Sequence, residues 1–272
     1  MMSDPNNIDL SLMNGKKGVI MGVANDHSIA WGIAQSLSAA GAELAFSYQS
    51  ETLKKRVEPL AKMLGSDLIY PCDVESSEDI EIFFNSIQNK WESIDFLVHA
   101  IAFSDKNELK GPYYNTTKEN FIQTMLISCF SFTEVVKEAQ KIMNNAGSII
   151  TLTFDGANRV MPNYNVMGIA KAGLESSVRY LAADFGARGI RVNAISAGPM
   201  RTLAGGGIAD ARAMFNFQKT HSPLQKTVTL SDIGGSAIYL LSDLSAGVTG
   251  EVHYVDSGYN IISTPRPEML QD

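Results

Sequence analysis

Short apolar or β-branched runs alternate with longer mixed stretches along almost the whole chain. The short runs predict strands, and most lack the strict apolar–polar alternation of a strand with one wet face, which indicates a sheet covered on both sides. The predicted strands are Gly18–Met21, Glu43–Tyr48, Asp67–Pro71, Phe96–Ile101, Ser148–Thr153, Arg191–Ile195 and Val252–Val255. The helices predicted between them are Ile29–Ala40, Glu51–Leu64, Ser77–Trp91, Thr117–Asn144, Asn163–Phe185 and Ser231–Ser242.

This alternation predicts an α/β fold. Strands separated by helices favour parallel pairing through right-handed crossovers, which gives a doubly wound, seven-stranded parallel sheet in three layers, α/β/α. No linker divides the chain, so residues 1–272 are expected to form a single domain. Residues 1–14 are expected to be a loosely ordered lead-in. Residues from about 201 to 220 contain the run Gly205–Gly207 and are predicted to form a mobile substrate-binding flap.

Composition narrows the class of protein. Lys and Arg number 22 and Asp and Glu number 29, so the net charge is −7 and the chain lacks the basic footprint of a nucleic-acid binder. No apolar run approaches the length of a membrane-spanning helix, and Met1–Leu12 has no signal-peptide features. The two cysteines, Cys72 and Cys129, are interpreted as free thiols of a cytoplasmic protein. No metal site is predicted.

The turn after the first predicted strand is a candidate phosphate cradle. Gly22 permits a tight turn, Ser28 stands where the next helix begins, and Gly32 lets that helix pack against the strand. In a Rossmann-like sheet this turn holds the pyrophosphate of a dinucleotide at the helix N-terminus. The loop is longer than the G-x-G-x-x-G motif, so a plain turn with a Ser helix cap is the alternative.

The ends of the next two strands favour NADH as the dinucleotide. NAD enzymes often place Asp or Glu after the second strand to bind the ribose hydroxyl, whereas NADP enzymes supply Arg. Here Gln49 occupies that place, and it is neutral and able to hydrogen-bond a hydroxyl. Asp73 follows the third strand and is able to accept a hydrogen bond from the adenine amino group. The alternative for Asp73 is a turn residue that precedes a helix.

Tyr164 and Lys171 form the candidate catalytic pair. Their separation of seven residues is two helical turns, so both side chains are expected on the same side of a helix that starts near Pro162. A Tyr hydroxyl is able to donate a hydrogen bond to an oxygen that becomes negative during reaction, and a nearby ammonium favours this. Lys171 is also able to bind the nicotinamide ribose. This spacing is common by chance, so the pair gains its meaning from the predicted fold.

Six segments combine these features with further recurrent patterns. They are Gly22–Ile33, Ala45–Gln49, Cys72–Val74, Pro162–Lys171, Arg191–Pro199 and Asp243–Gly247. Together they resemble the short-chain dehydrogenase/reductase superfamily, and specifically its divergent branch, the bacterial NADH-dependent enoyl-[acyl-carrier-protein] reductases. The resemblance runs from about residue 12 to residue 258. Typical superfamily members carry Tyr-x3-Lys, whereas the residue four before Lys171 is Met167.

The resemblance implies an activity and a set of site residues. The activity is reduction by NADH of the trans-2 double bond of an enoyl chain on acyl carrier protein, in type II fatty acid biosynthesis. Tyr164 and Lys171 would be catalytic, with Tyr164 donating to the thioester oxygen. The implied acyl pocket contains Ser104, Phe154 and Tyr164. The implied cofactor contacts are Gly22, Ser28, Ile29, Gln49, Asp73, Val74, Ile101, Lys171, Met200, Arg201, Thr202, Leu203 and Ala204.

Three residues depart from the family pattern. Phe154 stands where many bacterial members have a second Tyr, ten residues before the catalytic one, so a proton relay through this position is absent. Ala100 and Ala102 stand where Ser and Gly are usual, and Ala102 is expected to narrow the nicotinamide side of the pocket.

Two other functions are kept as alternatives. The first is a carbonyl or alcohol dehydrogenase of the same superfamily, which Met167 disfavours. The second is a non-catalytic dinucleotide sensor, which is disfavoured because both Tyr164 and Lys171 are present.

The resemblance also implies partners. Acyl carrier protein is acidic, as this chain is, so docking would need a local basic patch. The candidates for that patch are Arg201, Arg212, Lys219 and Lys226. The family assembles homotetramers through long helices, which here correspond to the two longest predicted helices.

Overall fold

A computed structural model describes residues 11–200 and 211–264 of the chain. Its seven strands are β1 (Lys17–Met21), β2 (Glu43–Tyr48), β3 (Ile69–Pro71), β4 (Ile94–His99), β5 (Met143–Thr153), β6 (Arg191–Ala197) and β7 (Val252–Val255). The α-helices in these ranges are α1 (Ile29–Ala39), α2 (Glu51–Met63), α3 (Ser77–Trp91), α4 (Lys118–Met125), α5 (Ser131–Ala139), α6 (Val166–Phe185), α7 (Ala211–His221) and α8 (Leu230–Leu241). None of these helices is long and apolar enough to cross a membrane.

The strands form one parallel sheet. Their order is β3-β2-β1-β4-β5-β6-β7, and every neighbouring pair is parallel. The order reverses direction between β1 and β4, where Gly18 aligns with Phe96 and Met21 aligns with His99. In open α/β sheets the ligand crevice lies at the carboxyl ends of the strands at such a switch point. The predicted doubly wound, seven-stranded α/β fold is confirmed.

Helices cover both faces of the sheet with apolar side chains. One layer is built by α3, α5 and α6 and includes Phe83 and Leu174, which are fully buried. The opposite layer is built by α1, α2 and α8 and includes Leu37 and Val57, which are also fully buried. Each such side chain contributes roughly 1.5–3 kcal/mol through burial. The two layers cover the faces of the sheet. A ligand site is therefore expected at the carboxyl ends of the strands rather than on either face.

The longest predicted helix, residues 117–144, is wrong in two respects. A π-helical turn at Leu126–Phe130 interrupts it between α4 and α5. The helix also ends at Ala139, and β5 already begins at Met143, which pairs with Ile94 of β4. Ala146 then adopts a positive φ of 62°, in a stretch of Asn, Ala and Gly that cannot continue an amphipathic helix. The apolar stripe in this segment, Phe121, Met125, Ser128, Phe132 and Val136, predicted the buried face only in its second half. Ser128, Phe132 and Val136 are buried, whereas Phe121 is exposed. The stripe also gave no sign of where the helix ends.

The described residues include only parts of the predicted lead-in and of the predicted flap. Met13 is fully buried and its amide donates to the carbonyl of Ala40 at 3.0 Å, so residues 11–14 are not a loose lead-in. Residues 1–10 lie outside the described residues. So do residues 201–210 of the predicted flap, while Ala211–His221 forms α7. The mobility of the flap and the single-domain organisation stay predictions.

Candidate active site

The turn after β1 presses directly against the end of β4. Gly22 has a φ of +103°, and a Cβ on it would lie 2.1 Å from the carbonyl oxygen of Ala100. The amide of Ala100 in turn donates to the carbonyl of Met21 at 3.0 Å. Only glycine adopts this backbone angle readily and has no side chain to collide with Ala100. Gly22 therefore allows the turn after β1 to approach the end of β4 closely at the switch point.

Ser28 organises this turn rather than capping the helix that follows. Its Oγ accepts hydrogen bonds from the amides of Ala24 at 3.0 Å and Asn25 at 3.1 Å. Ser28 occupies the N-cap position of α1, but no side chain caps that helix. The expected Ser cap is therefore wrong. The uncapped N-terminus faces the carboxyl edge of the sheet, an arrangement that suits an anion such as pyrophosphate.

Gln49 and Asp73 are brought together at the ends of β2 and β3. The Gln49 amide nitrogen donates to Asp73 Oδ2 at 2.8 Å. Asp73 Oδ1 also accepts from the amide of Glu75 at 3.1 Å, as expected of a turn residue before α3. Asp73 thus serves as a turn residue through Oδ1 and also binds Gln49 through Oδ2. The Val74 side chain is buried in the apolar layer under α3.

Tyr164 precedes α6 rather than lying on it. The helix begins at Val166, and the residues on both sides of Tyr164 have positive φ angles, 58° at Asn163 and 39° at Asn165. Asn tolerates such angles better than most residues. The side chain of Asn165 donates to the carbonyl of Gly111 at 3.1 Å. The prediction that Tyr164 and Lys171 share one helix is therefore wrong, because a strained turn separates Tyr164 from the helix.

The Tyr164 ring is fixed by close packing. It is 7% exposed and contacts the Phe154 ring edge to face, with centroids 5.2 Å apart. A Cβ on Gly156 would lie 2.5 Å from the Tyr164 ring. Burial raises the pKa of Tyr164, and the charge of Glu175 acts in the same direction. The phenol is therefore protonated and acts as a hydrogen-bond donor.

Lys171 lies in the second turn of α6 and is 6% exposed. Its Nζ donates to the carbonyl of Leu152 in β5 at 2.8 Å. Burial lowers the pKa of Lys171 to about 8, while Cys129 and Glu175 oppose that shift. In the described part of the chain no hydrogen bond joins Lys171 to Tyr164. Both side chains nevertheless reach the end of β5, because Lys171 bonds to Leu152 within that strand and Tyr164 packs on Phe154, which directly follows it.

The segment after β4 is held by the helical layer. Ser104 donates to Asn120 Oδ1 at 3.3 Å and accepts from Thr124 Oγ1 at 2.9 Å. Ser128, in the π-helical turn, accepts from the amide of Phe103 and donates to its carbonyl, both at 2.9 Å. The Ser104 hydroxyl is thus already bonded to α4. Its place in an acyl pocket stays a prediction.

The remaining predicted cofactor contacts divide into two groups. Ile29 and Ile101 are half-buried, and Met200 packs against the apolar layer under α8. Arg201, Thr202, Leu203 and Ala204 lie outside the described residues. None of the cofactor assignments is tested by geometry alone, and all stay predictions.

His99 is a satisfied strand histidine, as its position in β4 suggests. Its ring nitrogens lie 3.1 Å from Thr151 Oγ1 and 3.0 Å from Ser131 Oγ. Burial lowers the pKa of His99 to about 3, and the charge of Lys171 acts in the same direction. The ring is therefore neutral and acts as a cross-link between β4, β5 and α5.

Glu175 is a buried carboxylate that the sequence analysis did not single out. It lies one helical turn beyond Lys171 and is 5% exposed. The only sequence signal was its spacing of four residues from Lys171, which places both on one face of α6. In the described residues, no cluster of three or more His, Cys, Asp or Glu side chains could hold a metal ion.

Comparisons with known proteins agree with this architecture. A family model described as Enoyl-(Acyl carrier protein) reductase matches residues 22–260. Enoyl-[acyl-carrier-protein] reductase [NADH] 2 of Rhizobium meliloti is 65% identical over 260 residues, which cover 96% of this chain and 97% of that protein. FabI of Candidatus Liberibacter asiaticus has a TM-score of 0.92 at 60% identity, covering 94% of this chain and 99% of that one.

A second solved structure bears on the cofactor. The enoyl-(acyl-carrier-protein) reductase of Anaplasma phagocytophilum, solved in complex with NAD, has a TM-score of 0.90 at 53% identity, covering 94% of this chain and 96% of that one. The family match spans most of the chain, and the relatives are similar over nearly their whole length. The chain therefore belongs to the enoyl-(acyl carrier protein) reductase family.

Proposed function

We propose that this chain reduces the trans-2 double bond of an enoyl thioester carried on acyl carrier protein, with NADH as reductant, in type II fatty acid biosynthesis. The observation that carries the proposal is the buried pair at the carboxyl end of β5. A protonated phenol at Tyr164 and an ammonium at Lys171, anchored to Leu152, lie at the end of β5, the strand next to β4 in a dinucleotide-type sheet.

The cofactor would be held at three places along the carboxyl edge. The Gly22 turn and the uncapped N-terminus of α1 suit the pyrophosphate. Gln49 and Asp73 suit the adenosine half, and Lys171 suits the nicotinamide ribose. Bound NADH supplies the hydride that adds to the β-carbon of the enoyl chain.

Tyr164 then acts on the substrate oxygen. As the β-carbon gains hydride, the thioester oxygen takes on enolate character and needs a donor that is already in place. The buried phenol is protonated, and its ring is held by Phe154 and Gly156. The hydroxyl therefore needs little reorientation when charge develops on the substrate oxygen. Its place upstream of α6 suits an enoyl thioester, because that oxygen lies farther from the hydride acceptor carbon than a ketone oxygen does.

A carbonyl dehydrogenase is the weaker alternative. In such enzymes the catalytic Tyr stands four residues before the Lys, where this chain has Met167. Met167 is 7% exposed and lies in the first turn of α6. A thioether has no proton to donate to a carbonyl oxygen, so this position cannot support ketone reduction.

A spectrophotometric assay of NADH oxidation tests the proposal. Crotonyl thioester and acetoacetyl thioester are compared at equal concentration, and NADPH is run beside NADH. We expect turnover of the enoyl substrate with NADH. Turnover of the β-keto substrate alone would overturn the assignment, and turnover of neither would favour a dinucleotide sensor.

We also propose the partners that this activity requires. Among the basic patch candidates, Lys219 is exposed, whereas Lys226 forms an ion pair with Asp232 at 3.6 Å. Arg201 and the side chain of Arg212 lie outside the described residues. Docking of acyl carrier protein is therefore expected to depend most on Lys219 among the described candidates.

A homotetramer and a cytoplasmic location complete the proposal. Large apolar side chains are exposed along α4, the π-helical turn and α6, which supports helix-to-helix association between subunits. They are Phe121, Ile122, Phe130, Ile169 and Tyr180. Cys72 and Cys129 are both free and buried, as suits a reducing compartment.

A further inference from the structure

Glu175 links three elements around the predicted catalytic pair. Its Oε1 accepts from Thr153 Oγ1 of β5 at 2.7 Å, and its Oε2 accepts from the Asn158 amide at 3.3 Å. Asn158 follows the short helical turn after Phe154, and its amide nitrogen also lies 3.0 Å from Tyr254 Oη in β7. Both Glu175 oxygens therefore act as acceptors, which is the pattern of an ionised carboxylate.

This carboxylate is buried without a direct ion pair. Within the described ranges, no Lys, Arg or His nitrogen lies within 4.0 Å of it. Removing a charge from water costs several kcal/mol unless nearby groups compensate. Two hydrogen bonds from neutral donors compensate only in part. Burial of the Glu175 carboxylate therefore costs free energy that packing alone does not explain.

The other titratable groups that face this region are neutral near pH 7. Burial lowers the pKa of His99 to about 3, and burial raises the pKa values of Cys129, Tyr164 and Tyr254. Cys129 also opposes the lowering of the Lys171 pKa, but its own pKa is raised by burial, so it is a neutral thiol near pH 7. Among the described residues of this cluster, Lys171 is therefore left with one anionic neighbour, which is Glu175.

A second pair of charged side chains lies next to the cluster, and the two charges neutralise each other. Asp155 and Arg159 form an ion pair at 3.8 Å, and Asp256 lies near enough to act on the pKa of Asp155. Both carboxylates act on Tyr254 and Tyr259, but neither is a cause of the pKa shift of Lys171. Glu175 thus remains the carboxylate that acts on Lys171.

We propose that Glu175 is a positioning residue of the active site: its negative charge keeps the buried Lys171 ammonium charged for NADH binding, and its bonds to Thr153 and Asn158 hold the β5–α6 connection. The proposal rests on the proposed function, since it assumes that Lys171 binds the cofactor ribose. It adds an acidic partner for Lys171 on the same face of α6, where Glu175 contacts Thr153 and Asn158.

The test is the pH dependence of NADH affinity, measured by fluorescence titration of the full chain between pH 6 and 10. In the wild type we expect affinity to fall with a midpoint near pH 8, the pKa of Lys171. Glu175→Gln keeps the size of the side chain and removes its charge. We expect the midpoint to move down by about one pH unit, as for loss of a nearby opposite charge.

Two control variants separate charge from geometry. Glu138→Gln removes a carboxylate at the end of α5 that pairs with Lys141, next to the start of β5 rather than the end that holds Leu152 and Thr153. It should leave the midpoint in place. Thr153→Val removes a hydrogen bond to Glu175 but not its charge. We expect weaker NADH binding at every pH for this variant, with an unmoved midpoint.

Three outcomes would overturn the inference. They are an unmoved midpoint in E175Q, an equal loss of affinity at every pH, and failure of E175Q to fold, which would assign the charge to stability. A flat pH dependence in the wild type would also overturn it. If the wild type bound no NADH, the proposed function itself would fail, and this outcome is distinct from the others.

Discussion

Gln49 and Asp73, which follow the ends of the neighbouring strands β2 and β3, form a hydrogen bond of 2.8 Å between their side chains. The pairing follows from the parallel register of β2 and β3, which aligns Tyr48 with Pro71 and brings the two following turns together. This bond holds the side-chain amide nitrogen of Gln49 against Asp73. The amide oxygen of Gln49 is therefore available to accept a hydrogen bond from a ribose hydroxyl. The two predicted adenosine contacts thus form one structural unit.

A double-mutant cycle tests this unit. Asp73→Ala and Gln49→Ala are each expected to weaken NADH binding about fivefold, which corresponds to one hydrogen bond worth about 1 kcal/mol. The double variant should lose little more than either single variant, because each residue acts through the other. Isothermal titration measures all four affinities. Additive losses would mean that the two residues bind the cofactor independently.

Loss of the Tyr164 hydroxyl should impair chemistry and spare binding. Tyr164→Phe keeps the ring that packs on Phe154 but removes the donor to the enolate oxygen, so kcat is expected to fall by roughly 10²–10³-fold. NADH affinity should be nearly unchanged. Tyr70→Phe is the matched control, since Tyr70 packs on Phe83 under α3, away from the switch point. Unaltered turnover in Tyr164→Phe would remove Tyr164 from the mechanism.

Lys171 is expected to strengthen NADH binding and to lower the free energy of unfolding of the chain. Lys171→Met is expected to weaken NADH binding strongly, because the ribose loses its ammonium donor. Burial lowers the pKa of Lys171 to about 8 from an ordinary value of 10.5, so the unfolded chain binds more protons than the folded chain between these pH values. The free energy of unfolding of the wild type should therefore rise relative to Lys171→Met by about 3 kcal/mol across that window.

Chemical denaturation of both chains at pH 7, 9 and 10 measures this difference. The cofactor is left out, since its binding would add its own stabilisation. A difference in unfolding free energy that does not change with pH would show that Lys171 titrates as an exposed lysine does.

Gly22 should be intolerant of any side chain. In Gly22→Ala the new methyl would collide with Ala100 at a backbone angle that alanine rarely adopts, so a loss of several kcal/mol in unfolding free energy is expected. Gly235→Ala is the matched control, because Gly235 lies on the exposed side of α8 with nothing near its Cβ position. That variant should be slightly stabilised, by about 0.5–1 kcal/mol. Equal effects in thermal unfolding would contradict the close approach at the switch point.

The fold was predictable because its signals are local and periodic. The seven strands appear in the chain as apolar runs, and the order of a doubly wound sheet follows from general rules of handedness. The end of α5 was not predictable from periodicity, because the stripe of Phe132 and Val136 gives no sign that β5 starts at Met143. Boundaries of this kind depend on which strand lies alongside, here β4 through Ile94.

The sequence was enough to propose candidate site residues but not to predict the backbone around them. Tyr164 and Lys171 were recognised from spacing and family resemblance, yet the positive φ angles of Asn163 and Asn165 displace Tyr164 from the helix. Asn favours turns and positive φ angles, but it also occurs inside helices, so these two residues alone do not fix where α6 begins. Glu175 was missed for a different reason. A single acidic residue on a long helix is usually solvated, and its burial depends on Thr153 and strands remote in sequence.

Isotope transfer tests the central claim most directly. The wild type is incubated with crotonyl thioester and NADH that carries deuterium at the transferred position, and the product is analysed by NMR. The account predicts a butyryl product with one deuterium at the β-carbon, and deuterium at the α-carbon only when the solvent is D₂O. An unlabelled product would contradict it, as would transfer of deuterium only in a parallel reaction in which acetoacetyl thioester replaces crotonyl thioester.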